Sequence, residues 1–62
     1  MPTITIMMNP ISDEKKKLLV KSLTTEAARI TELSPEFFFV YVQEHANENI
    51  GVGGKTLKEM LG

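Results

Sequence analysis

The hydrophobic positions at the start of the chain repeat every second residue. In the stretch TITIMM, residues 3–8, Thr3 and Thr5 alternate with Ile4 and Ile6. This period is typical of a half-buried β-strand. Because proline has no N–H to donate to a ladder, Pro10 ends the predicted strand.

The pattern then becomes helical from about residue 13 to about residue 32. One predicted apolar face has spacings of three and four and consists of Leu19, Leu23, Ala27 and Ile30, with Val20 beside them. The predicted polar side consists of Lys16, Lys17, Lys21, Thr24, Thr25 and Arg29. Ser12 is a suitable N-cap, and Pro35 disfavours helical geometry at the residue before it. We interpret Lys15-Lys16-Lys17 as a solvated first turn.

The run FFFVYV, residues 37–42, has no polar alternation and predicts a second strand that is apolar on both faces. The helix can cover one of these faces, so we expect the other to meet a partner subunit. A strand, a long helix and a second strand predict a right-handed crossover between parallel strands. The predicted fold class is therefore α+β, built on a β-α-β unit.

The C-terminal third begins with a polar loop, residues 45–49, and continues with Gly51, Gly53 and Gly54. We predict a small hairpin or tight turn at these glycines, followed by a short amphipathic end over residues 56–61. The letters GGKT also end phosphate-binding loops, but Asn49 stands where that motif needs its first glycine. Nucleotide binding is therefore disfavoured.

Composition narrows the function classes. The chain has 62 residues, a net charge of −1, no cysteine and one histidine. We expect one domain over residues 1–62, with no disulfide and no metal site. No apolar run approaches the ~20 residues of a membrane helix, and no basic footprint for nucleic acid is present, so we expect a cytoplasmic protein. Chains this short without disulfides or metals usually gain stability by self-association, so we expect a homo-oligomer.

Met1-Pro2 is the candidate for chemistry. Proline is small enough at the second position for Met1 to be removed, which would expose a secondary amine at Pro2. An α-amino group has a pKa near ~8, and burial in an apolar pocket lowers it further. A ring-constrained amine that is neutral near pH 7 is a competent general base.

The order of these features resembles the 4-oxalocrotonate tautomerase family over essentially all of the chain. The resemblance rests on Pro2, the strand TITIM, the helix start Ser12-Asp13-Glu14, Pro35, the strand ending at Glu44, and the segment NIGVGG of residues 49–54. It implies a β-α-β subunit with a C-terminal hairpin that docks on a neighbouring subunit of a homohexamer, a trimer of dimers. It also implies keto–enol proton transfer by Pro2 on a small enol or keto acid, such as a 2-hydroxydienoate or a 2-oxo acid, without a cofactor.

The sequence departs from this family at the residues that hold the substrate. Ile11 and Phe39 stand where the best-known members have arginines, and Ile50 replaces an aromatic residue. We predict an apolar pocket of Ile11, Phe39 and Ile50 that holds a dicarboxylate poorly, because arginine is the best carboxylate ligand. Tyr41 and His45 are candidates for a replacement polar group. Arg29, the only arginine, has an expected solvated role.

Two other functions stay open at this point. A non-catalytic oligomer with the same fold is the alternative that Ile11, Phe39 and an attached Met1 favour. A small DNA-binding dimer is weaker, because the net charge is −1 and no second long helix is predicted.

Overall fold

A parallel two-stranded sheet lies at the centre of the computed structural model, which describes residues 1–62. Strands β1 (Thr3–Met8) and β2 (Phe39–Glu44) pair in register, from Thr3 opposite Phe39 to Met8 opposite Glu44. Even-numbered residues of both strands are half-buried, and odd-numbered residues are exposed. Helix α1 (Asp13–Thr31) connects the strands. The predicted β-α-β unit with parallel strands is confirmed.

Helix α1 begins where the sequence predicts. Ser12 is extended, and its Oγ accepts a hydrogen bond from the backbone N of Lys15 at 3.2 Å. The helix ends at Thr31, and Glu32 follows in the left-handed conformation with a φ of 60°. The chain thereby turns back toward Pro35, as predicted.

The predicted apolar face of α1 is partly wrong. Leu19, Leu23 and Ala27 are half-buried, but Val20 and Ile30 are exposed. The half-buried residues that the prediction missed or placed on the polar side are Lys16, Thr24 and Ala28. A helix of 19 residues spans roughly 28 Å, whereas a six-residue strand spans roughly 20 Å. The helix is therefore longer than the sheet that it covers, and the sheet is only two strands wide.

The predicted bounds of the second strand are also wrong by two residues. Pro35–Phe37 form a 3-10 helix, in which the backbone N of Phe38 donates to the carbonyl of Pro35 at 3.1 Å. Proline suits the first turn of such a helix because its φ is fixed and its missing N–H is not needed there. Phe38 is the one buried residue of the chain. β2 starts after it, at Phe39.

The predicted C-terminal hairpin is confirmed. Strands β3 (Gly51–Val52) and β4 (Lys55–Thr56) are antiparallel, and Gly53 and Gly54 turn the chain with φ of 62° and 89°. Positive φ at both central residues is what a type I′ turn needs. Helix α2 (Leu57–Leu61) follows. This terminal segment packs mainly on a 3-10 helix, Asn47–Asn49, within the predicted polar loop.

The subunit is extended and has little interior. Its radius of gyration is 14.9 Å, against about 10.6 Å for a compact chain of this length. Its accessible surface is 4954 Å², against about 4,000 Å² for a folded monomer of this mass. The excess includes large apolar side chains that the chain leaves exposed, among them Leu18, Phe37 and Tyr41. No helix has the length and apolar character needed to cross a membrane.

Candidate active site

Pro2 lies at the amino end of the sheet. Its carbonyl accepts a hydrogen bond from the backbone N of Phe39 at 3.0 Å, and its ring is half-buried. Met1 projects away from the subunit and is 82% exposed. While Met1 is attached, the nitrogen of Pro2 is an amide without a basic lone pair. The sheet thus holds Pro2 in place, and the Met1–Pro2 peptide bond, which makes the nitrogen non-basic, lies next to an exposed residue.

Phe39 and Tyr41 occupy the face of the sheet that α1 does not cover. They are 44% and 53% exposed and stand opposite Thr3 and Thr5. Both side chains point to one face, as predicted, because residues two apart in a strand share a side. We call this surface the open face; it consists of Thr3, Thr5, Met7, Phe39, Tyr41 and Gln43.

Ile11 and His45 lie at the opposite, carboxyl end of the sheet. The backbone N of Ile11 donates to Oε2 of Glu44 at 2.8 Å, and the backbone N of His45 donates to the carbonyl of Met8 at 2.8 Å. Given the strand length, this end is roughly 20 Å from Pro2.

Ile50 belongs to the terminal segment beyond that carboxyl end. It is half-buried, and its carbonyl accepts a hydrogen bond from the backbone N of Leu57 at 2.8 Å. One subunit therefore brings Pro2 near Phe39 but not near Ile11, Ile50 or His45. The predicted pocket that combines Pro2 with Ile11, Ile50 and His45 stays a prediction, because it can form only between neighbouring subunits.

An open apolar groove of about 320 Å³ lies between the end of β1 and the first half of α1. It is lined by Met8, Ile11, Lys15, Leu18, Leu19 and Ser22. Lys15 is its one charged residue. The sequence predicts Lys15 only as part of a solvated first turn, and its place beside the groove was not predicted. Ile11 precedes the extended N-cap Ser12, so helical spacing does not relate it to Lys15, and the sequence held no local signal for their shared groove.

Glu44 connects β2 to the start of α1. Its Oε1 lies 2.7 Å from Nζ of Lys16, and its Oε2 accepts the hydrogen bond from Ile11. The hydrogen bond from Lys16, followed by that from Ile11, lowers the pKa of Glu44, and the same bond with Glu44 raises the pKa of Lys16. Lys16 also lies 3.6 Å from Asp13. This network, which was not predicted from the sequence, fixes the backbone at Ile11.

Asn9 makes a second connection at the carboxyl end. Its Nδ2 donates to the carbonyl of His45 at 3.0 Å and to Oδ1 of Asn47 at 2.9 Å. The loop after β1 is thereby tied to the loop after β2. Arg29, in contrast, lies exposed and pairs with Glu26 one turn away. This pairing raises the pKa of Arg29 and lowers that of Glu26.

The sequence of the chain is similar to those of known proteins over nearly its whole length. The family model described as "Tautomerase enzyme" matches residues 2–60. The 2-hydroxymuconate tautomerase of Bacillus subtilis is 33% identical over 61 residues, which are 97% of this chain and 98% of that protein.

Two solved structures extend the comparison to the fold. A homologue of 4-oxalocrotonate tautomerase superposes with a TM-score of 0.86 at 32% identity, covering 95% of this chain and 98% of that one. The DmpI protein of Archaeoglobus fulgidus gives a TM-score of 0.82 at 30% identity, covering 92% and 98%. The fold described above is therefore shared with these two structures over 92–95% of the chain.

Proposed function

We propose that this chain, which belongs to the tautomerase family and is an isomerase, uses Pro2 as its general base once Met1 has been removed. The nitrogen of Pro2 takes the proton from the enol oxygen of a 2-hydroxydienoate or the enol of a 2-oxo acid. The C=O bond forms, the double bond shifts, and the nitrogen returns the proton to carbon. No group other than the amine needs to carry the proton.

The position of Pro2 is the observation that carries this proposal. Its carbonyl is fixed by Phe39, its ring is half-buried, and Met1 is accessible to a processing enzyme. A free α-amine has a pKa near ~8, and an apolar surrounding lowers it. We therefore expect a base that is largely neutral at pH 7.

A partner subunit completes the pocket in this proposal. The sheet has two strands, so the outer edge of β1 has no ladder partner. If two β1 edges pair antiparallel about a two-fold axis at Ile6, Ile4 of one subunit lies opposite Met8 of the partner subunit. Pro2 then lies beside Asn9 and Ile11 of the partner subunit.

The open face supports a larger assembly. Phe39 and Tyr41 are exposed on the face of the sheet that α1 leaves uncovered, so a further subunit packed on that face would remove them from water. A homohexamer, a trimer of dimers, supplies both contacts. The cytoplasmic location and the independence from cofactors stay predictions.

The experiment compares two synthetic chains, Met1–Gly62 and Pro2–Gly62, which are identical apart from Met1. Both are assayed with the enols 2-hydroxymuconate and phenylenolpyruvate. We expect Pro2–Gly62 to be faster by about 10²–10⁴-fold, the usual contribution of a general base, with a rate that rises with pH through the pKa of the amine. Pro2→Ala should lower the rate of the processed chain.

Equal rates for the two chains would contradict the role of Pro2. The absence of turnover for either enol would favour the second candidate, a non-catalytic oligomer. The observations that favour this second candidate are Ile11 and Phe39 in place of the arginines that the family resemblance leads one to expect. Intact-mass measurement of protein from its own host shows which chain exists there.

A further inference from the structure

We infer that Lys15 binds the substrate carboxylate and that the groove beside it selects monocarboxylic enols with an apolar substituent. This inference rests on the proposed function, because it concerns the same pocket. Its starting observation is the one cavity of the subunit, which places a single cation at Ile11 among apolar side chains.

Lys15 has no acidic partner, and neither has the exposed Lys17, but of the two only Lys15 lines the groove. Lys16 is held by Glu44 and Asp13, and Arg29 by Glu26. No carboxylate lies within ion-pair distance of the Lys15 ammonium in the subunit. The charge of Lys15 is therefore available to an anionic ligand, whereas those of Lys16 and Arg29 are already neutralised.

The position of Lys15 also suits a pocket without the expected arginine. Ile11 gives an apolar wall just before α1, and Lys15, in the first turn of α1, lines the same groove. An ammonium on a flexible stem can reach into the groove and bind one carboxylate as a point charge. In the proposed pairing of β1 edges, this groove lies beside Pro2 of the partner subunit.

The rest of the groove determines what else the ligand can carry. Met8, Leu18 and Leu19 form apolar walls, and Ser22 is the one neutral polar side chain. A second carboxylate placed among them would lose water without gaining a cation, which is costly. An aromatic or branched aliphatic group would lose no such interaction. The groove thus favours an aryl- or alkyl-substituted 2-oxo acid enol over a dicarboxylate.

Binding of a non-reacting acid tests the site without relying on catalysis. In the processed chain, 3-phenylpropanoate should shift the NMR signals of the Ile11, Leu18 and Leu19 methyl groups. Lys15→Gln should weaken this binding roughly tenfold, as expected for one charge-assisted hydrogen bond. Lys17→Gln is the matched control, because it removes the same charge from an exposed residue of the same turn. The neutral 3-phenylpropanamide should bind both variants equally.

Kinetics then connects the site to the substrate. Lys15→Gln should raise KM for phenylenolpyruvate about tenfold and change kcat by less than about threefold, and Lys15→Arg should restore most of the loss. Phenylenolpyruvate should exceed 2-hydroxymuconate in kcat/KM with the wild-type chain.

Three results would overturn the inference. The first is that Lys15→Gln and Lys17→Gln weaken the binding of 3-phenylpropanoate equally. The second is that the Leu18 and Leu19 methyl signals do not shift, because a second copy closes the groove. The third is a higher kcat/KM for 2-hydroxymuconate than for phenylenolpyruvate. Each can occur while Pro2–Gly62 remains faster than Met1–Gly62, so failure of this inference is distinct from failure of the proposed function.

Discussion

The two ends of the central sheet are built differently. At the carboxyl end, Glu44 holds Lys16 and the backbone of Ile11, and Asn9 joins the two loops. At the amino end, one backbone hydrogen bond between Phe39 and Pro2 extends the ladder, and the side chains around it are apolar and exposed. Polar contacts within the chain hold the carboxyl end together, whereas the amino end presents exposed apolar side chains.

This difference fits the proposed function, in which one chain folds locally and a neighbouring chain completes the site. Hydrogen bonds and ion pairs at the carboxyl end join residues of one chain and need no partner. Apolar side chains such as Phe39 and Tyr41 stabilise the fold only when another surface removes them from water. The proposed base lies at the end that depends on assembly, so we expect activity and assembly to be lost together.

The largest expected effect comes from a charge on the open face near the amino end. Phe39→Asp should weaken self-association by about 100-fold or more, because an unpaired buried carboxylate costs several kcal/mol. Gln43→Asp places the same charge on the same face at the carboxyl end and should have a smaller effect. Sedimentation velocity over a range of protein concentrations measures both. Identical assembly of Phe39→Asp and wild type would show that the open face is not an interface.

Much of the fold was predictable because its signals are local. The alternation in TITIMM, the cap at Ser12 and the glycines of the hairpin each act within a few residues. The start of β2 was not predictable from its apolar run, because Pro35 gives the first of those phenylalanines a 3-10 conformation. Hydrophobicity alone does not distinguish a strand from a short helical turn.

The candidate site was less predictable because its contacts are long-range. Asn9 is 36 residues from His45 and Lys16 is 28 residues from Glu44, and the parallel register brings the members of each pair together. Ile30 was assigned to the core from its spacing, but the sheet is too short to cover it. Spacing along a helix identifies a face but does not show how far the opposing surface extends.

An intermediate effect is expected from the loop connection at the carboxyl end. Asn9→Asp keeps the shape of the side chain, removes both donated hydrogen bonds and places a negative charge against the carbonyl of His45 and Oδ1 of Asn47. We expect a loss of about 1–3 kcal/mol in the free energy of unfolding, measured by urea titration at one fixed protein concentration.

Asn49→Asp provides the matched control for this change. It alters the charge by the same amount at an exposed amide of the neighbouring 3-10 helix, and no side-chain hydrogen bond of Asn49 is lost. If both variants unfolded at the same urea concentration, the destabilisation would come from net charge, and the connection between the loops would contribute nothing measurable.

The smallest expected effect concerns the pair of Glu44 and Lys16, and it depends on pH. The folded-state pKa of Glu44 is lowered by its hydrogen bonds with Lys16 and Ile11. Its contribution to stability is therefore present above the ordinary glutamate pKa of 4.5 and is lost as the pH falls through the lowered value. Glu44→Gln should be less stable than wild type at pH 7, and the difference should shrink as the pH falls below 4.5. Thermal melting at a series of pH values measures it.

Glu26→Gln is the control that distinguishes the Glu44–Lys16 pair, which joins β2 to α1, from an ordinary surface ion pair. Hydrogen bonding to Arg29 also lowers the pKa of Glu26, so the sign of the pH dependence is the same. The Glu26 side chain is 59% exposed against 26% for Glu44, and water screens an exposed pair more strongly. Glu26 also joins residues of one helix, whereas Glu44 joins β2 to α1. Glu44→Gln should therefore cost more than Glu26→Gln at pH 7. Equal costs would mean that the pair of Glu44 and Lys16 contributes no more than a surface ion pair, and the order of the carboxyl end would then rest on Asn9 and backbone pairing.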